Sequence, residues 1–198
     1  QLVVAFMADG VEVQIAYASH PVLQQQIDEL LLQHKPDTPL HKLAEGILKA
    51  EPLFGGRPLQ ALQARLADFP AELAEAMARH FSATPTPWKA IAQIVHRDAP
   101  LWSRDLQVQA CYRLLGLLAA VNGRFYCSFQ NKRLHHFAAG LDLAPPGLAD
   151  RIEALLSAPP RAAAVALHAL EGEVLTLLAG RFPTLDLSAW EARRAQFG

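Results

Sequence analysis

A mainly α-helical fold, a helix bundle preceded by a single β-hairpin, is what the sequence predicts, on three observations. Two short runs rich in β-branched and apolar residues flank Asp9-Gly10 at the start of the chain. From Ser19 onward the apolar residues repeat about every 3.6 positions rather than every two. Prolines then stand at the places where helices begin.

Each element follows in order. Leu2 to Ala8 and Val11 to Tyr17 are strand-like, and Asp9-Gly10 between them is a strong signal for a two-residue hairpin turn. Two strands alone are marginal in water, and the first has an unprotected edge, so further strands are expected upstream or on another chain. Ser19 is placed to cap a helix that has Pro21 in its first turn and runs to about Gln33. Pro39 opens a helix to about Ala50, Pro58 one to Phe69, Pro70 one to Phe81 and Pro87 one to Val95. Ser103 to Val121 places Leu106, Cys111, Leu114, Leu115, Leu118 and Val121 near one face, which makes it the central helix, stopped by Asn122-Gly123. Helices follow over Asn131 to Ala139, Pro146 to Leu156 and Pro160 to Arg181. A tail helix begins where Ser188 and Glu191 have the spacing of a capping box. The two glycines and two prolines of EPLFGGRP, Glu51 to Pro58, interrupt the helical pattern and mark a hinge.

Composition narrows the function. The chain has 198 residues, 52% of them hydrophobic, enough for a real core. Lys and Arg number 18 against 19 Asp and Glu, so no basic surplus exists to neutralise a run of phosphates, and a dedicated nucleic-acid binder is disfavoured. Cys111 and Cys127 are far apart without CxxC spacing and read as buried thiols in a reducing compartment, the cytoplasm. Leu114 to Val121 is too short to span a bilayer, so no membrane partner is expected. Gln1 stands where a Met is expected and no leader-like pattern follows, so processing or truncation is expected to have removed the true start.

Three stretches, in this order, resemble the DNA polymerase beta-like nucleotidyltransferase superfamily, in its bacterial form with a small mixed-sheet head and a helical C-terminal domain. They are MADGVEVQIAYAS, AEGILKAEPLFGGRPLQALQARLADFPAEL and SRDLQVQACYRLLGLLAAVNGRFYCSFQNKRLHHF, and they cover most of residues 2 to 156. The resemblance implies that residues 1–55 are the last part of the head, with the hairpin a remnant of its mixed sheet, and that 56–198 are the substrate-binding domain. It implies magnesium, a nucleoside triphosphate such as ATP, and transfer of a nucleotide to a small-molecule acceptor. The family's Gly-Ser turn and paired strand carboxylates are missing, and no Gly-Ser dipeptide occurs. Since such transfer needs grouped carboxylates to hold the metal, the chain is expected to be inactive alone.

The resemblance also implies roles for single residues. Glu12 stands near the family's third metal-site acid, where Gln14 takes the more usual position; both also fit as polar residues alternating with Val11, Val13 and Ile15. Asp105 corresponds to a helical-domain carboxylate that acts as general base, beside Arg104 as a substrate contact; an Asp early in a helix also stabilises its dipole. Asp98 is a second nearby acid. Asn122, Tyr126 and Lys132 are placed to reach a ligand, with Lys132 on a phosphate, although Asn122 also serves as a helix stop. No zinc-type spacing involves His135 or His136. Trp88, Trp102 and Trp190 read as packing residues near helix ends. The rival function is a non-catalytic helical binding or regulatory module whose hairpin docks on a partner's sheet, and a ligand-binding, degenerate transferase is a third reading. The free hairpin edge also makes a homodimer plausible.

Overall fold

The computed structural model describes residues 2–94, 96–128 and 132–197. Strands β1 (Leu2–Ala8) and β2 (Val11–Tyr17) pair antiparallel, with Leu2 opposite Tyr17 and Ala8 opposite Val11. Asp9 and Gly10 both take positive φ, 49° and 79°, the geometry of the tight turn whose twist matches the strands. Directly opposed residues share a face, so Leu2, Val4, Phe6, Ala8, Val11, Val13, Ile15 and Tyr17 form one wholly apolar face. Glu12 and Gln14 lie on the other. Apart from the half-buried Val13, every residue of both strands is exposed.

Among the described residues ten α-helices follow: α1 (His20–Gln33), α2 (Leu40–Lys49), α3 (Arg57–Ala67), α4 (Ala71–Ser82), α5 (Trp88–Ile94), α6 (Pro100–Val121), α7 (Leu134–Ala139), α8 (Leu148–Ser157), α9 (Pro160–Arg181) and α10 (Ser188–Arg194). The mainly α fold, a hairpin followed by a helix bundle, is as the sequence predicts. The expected helix ends at Val95 and Asn131 lie outside the described residues. Proline sits in the first turn of α1, α3, α6 and α9, where its missing N–H goes unused. In α6 this moves the start from the expected Ser103 back to Pro100.

Helix α6 organises the core, lying against α4 on one side and α9 on the other. Every residue from Leu114 to Val121 is buried, so its second half is enclosed all round rather than on one face. Gly116 is what lets α4 approach: a Cβ there would stand 2.5 Å from the Phe81 ring. The Leu53-Phe54 loop between α2 and α3 is fully exposed, while residues on both sides of it, such as Ile47 and Leu62, enter one core.

Two expectations need correction. The Ser188–Glu191 capping box does not form: Leu187 occupies the cap and Asp186 Oδ1 accepts the Ser188 N–H at 2.9 Å instead. Trp88 and Trp190 are buried, but Trp102 is 44% exposed, off the α6 face that buries Ser103, Gln107, Ala110 and Cys111. Helix α9 has the length and hydropathy to cross a bilayer. Its apolar inner face packs on α6 and α8, and its buried Glu171 meets Arg194.

Candidate functional site

A groove is built from α2, the segment after α6, and α7. Its two connected lobes, of about 340 and 390 Å³, share Glu45, Lys49, Phe125, His136 and Phe137. That size suits a small ligand.

The floor is segment 125–128, pinned by the loop before α2. Asp37 accepts two bonds from Ser128, from N at 3.1 Å and from Oγ at 2.7 Å. The Tyr126 N–H donates to His41 Nδ1 at 3.3 Å, so the other ring nitrogen carries the hydrogen and donates to the Lys35 carbonyl at 2.7 Å. Burial holds the His41 imidazole below its ordinary pKa, with the Lys35 carbonyl and Asp37 acting the other way. A neutral, fully buried histidine thus fixes backbone position instead of presenting charge.

The walls carry the charge. Lys42, Gly46 and Lys49 lie at i, i+4 and i+7 of α2, one face of a helix. Lys49 Nζ reaches Glu45 at 2.5 Å and His136 Nε2 at 3.2 Å, and since lysine only donates, His136 Nε2 accepts. Lys132 and Arg133 line the opposite wall beside α7.

Of the residues singled out in the sequence, the groove gathers Asn122, Tyr126 and Lys132. Asn122 is committed elsewhere: its amide donates to the carbonyls of Leu118 and Leu143 and accepts from the Leu143 N–H, all at 2.7–2.8 Å, clasping the end of α6 to segment 141–143. The Tyr126 hydroxyl points inward to the Tyr112 carbonyl at 3.0 Å, and burial is the main cause of its raised pKa. Its ring packs between Phe81 and Phe137. Only Lys132 presents a charged end to the groove.

The remaining candidates lie apart from it. Arg104 donates to Gln107 Oε1 at 2.9 Å, and Asp105 is exposed. Their separation from Asn122 along α6 is about 25 Å at the helical rise. Glu12 accepts from the Gln14 amide at 3.0 Å on the exposed hairpin, and Asp98 is exposed in its loop. Asp37, His41, Lys42, Gly46, Lys49 and Arg133 were not among the sequence candidates, though a glycine between two lysines on one helix face was a readable signal.

The described residues contain one group with metal-ligand atoms close together: His135, Asp150 and Glu153. His135 Nε2 lies 2.9 Å from Glu153 and Nδ1 3.9 Å from Asp150. All three are exposed side chains that satisfy one another across α7 and α8. Two cysteines were expected to be buried, and Cys111 and Cys127 are; burial pushes the Cys111 thiol up to about 12, so it stays protonated.

Compared with models of protein families, with curated proteins and with solved structures, the chain matches none.

Proposed function

We propose that this chain is the helical, ligand-binding part of a nucleotidyltransferase-like molecule, together with the last two strands of its catalytic head. On this reading the complete molecule moves a nucleotide from a nucleoside triphosphate to a small acceptor held by the helical bundle. The observation that carries it is the hairpin. Its one wholly apolar face and both its edges are open, as expected of strands taken from a larger sheet whose face a helix layer would cover.

Glu12 is the one carboxylate on its hairpin face and is bonded to Gln14, so the hairpin by itself does not fit a magnesium site. The metal-holding acids of this reading must therefore come from outside these strands. The chain incubated alone with magnesium and radiolabelled nucleoside triphosphates is expected to transfer no label to added small acceptors. Efficient transfer without a second polypeptide would refute the reading.

The same open edges also favour the alternative, a non-catalytic module whose hairpin adds to a partner's sheet. A Gly-Ser turn with paired acids encoded immediately upstream supports the transferase. A start codon at that point supports the module.

A further inference from the structure

We infer that the groove between α2 and α7 binds a phosphate-bearing small molecule, which on the transferase reading is the acceptor. The clause about the acceptor rests on that reading; the binding does not. Charge segregation carries the inference. Over the whole chain acids outnumber Lys and Arg by one, 19 against 18, yet the first lobe is lined by Lys42, Lys49, Lys132 and Arg133 against the single acid Glu45. Glu45 is already neutralised by Lys49 at 2.5 Å. Lys42, Lys132 and Arg133 form no ion pair among the described residues. Three cations held around one concavity repel one another and are relieved by an anion carrying more than one charge.

The backbone points the same way. Gly46 sits inside α2, where glycine is a poor helix former. No packing demands it, since a Cβ there would meet nothing within 4 Å. What its absent side chain does leave is an open notch between the two lysines, where a ligand can approach the helix closely. Phosphate, with several acceptor oxygens, suits converging lysines and an arginine better than a single carboxylate does. The floor is aromatic, with Phe125 8% exposed and Phe137 also lining the groove, so the rest of the ligand meets an apolar surface. An extended nucleic acid fits poorly, because the positive lining is confined to a pocket-sized concavity on a chain with no basic surplus.

The test is calorimetric titration of the full chain with inorganic pyrophosphate, in magnesium-free, low-salt buffer. Adenosine and the cationic aminoglycoside kanamycin serve as probes without phosphate. The expected result is saturable binding of pyrophosphate at one site per chain, weakening as salt rises, with little binding of the other two probes. The double variant Lys42→Ala/Lys132→Ala should weaken it about tenfold or more. Gly46→Leu, which fills the notch while favouring the helix, should do the same with an unchanged circular dichroism spectrum. No saturable binding, or binding that neither variant weakens, overturns the proposal. Because no triphosphate or magnesium is present, the outcome is separable from the transferase reading: binding with a start codon immediately upstream leaves a phosphate-binding module, and no binding with a Gly-Ser turn and paired acids encoded upstream leaves a transferase with another acceptor.

Discussion

Arg194→Ala should destabilise the bundle by about 3–5 kcal/mol, the cost of leaving a buried partner charge uncompensated. Glu171, in the middle of α9, is completely buried. Its Oε2 accepts from Trp88 Nε1 at 3.0 Å and from Arg194 Nη1 at 3.1 Å, and Thr86 adds a further bond. Its Oε1 has no hydrogen-bond partner among the described residues. The same Arg194 nitrogen reaches the His168 carbonyl at 2.5 Å, so this one side chain ties α10 to α9. Burial raises the Glu171 pKa, while the bonds from Thr86, Arg194 and Trp88 oppose the rise without cancelling it.

The pH dependence follows with a definite sign. A carboxyl that holds its proton more tightly when folded contributes stability that is full below its unfolded pKa and is lost as pH rises through the folded value. Glu171 therefore makes the protein progressively less stable above about pH 4.5, the ordinary value for glutamate. Urea unfolding across pH 4 to 8 should show Glu171→Gln flattening this part of the profile. The Arg194→Ala penalty should be smallest at the acid end, where Glu171 is neutral. The double variant should cost less than the sum of the two single ones. A penalty below about 1 kcal/mol for Arg194→Ala would place the pair among exposed, weak ones.

Phe81→Ala should cost a comparable amount, about 3–5 kcal/mol, because it empties the contact between α4 and the enclosed half of α6. Phe81 is 4% exposed and meets the His80 and Tyr126 rings edge-on, at 4.9 and 5.6 Å between centroids. Through Tyr126 it also supports the groove floor. Gly116→Ala in the otherwise unchanged protein should cost about 1–3 kcal/mol, since the new methyl meets a ring that its neighbours hold in place. Made in the Phe81→Ala background, the same change should be nearly free, because the opposing ring is gone. Thermal or urea unfolding of the two single variants and the double variant reads this coupling directly, and strict additivity would show that Gly116 and Phe81 do not constrain each other.

The hairpin, the order of the helices and the central place of α6 were legible because their signals are local. Asp9-Gly10 fixes a turn, and prolines fix helix starts whatever surrounds them. Local signals failed where two of them competed, as when Asp186 took the Ser188 N–H that a capping box gives to the Glu191 side chain. They failed again at Trp102, which lies off the α6 face that buries Ser103, Gln107 and Ala110. The groove was beyond such signals, since His41, Tyr126 and Lys132 meet only after the whole of α6 has carried the chain back past α2. Lys42, Gly46 and Lys49 share a face that, read alone, is an ordinary solvated one. Glu171 was hidden differently, as one acid in an apolar helix whose partners lie 83 residues before it and 23 after it.

The transferase reading rests on the claim that β1 and β2 cannot be stable on this chain's own core. Amide hydrogen exchange of the isolated chain measures that claim residue by residue. The expected result is near-unprotected exchange at the paired amides of Val4 to Met7 and Glu12 to Ile15, with opening free energies close to zero, while Leu114 to Leu118 in α6 exchange only through global unfolding. Hairpin amides as strongly protected as those of α6 would contradict it.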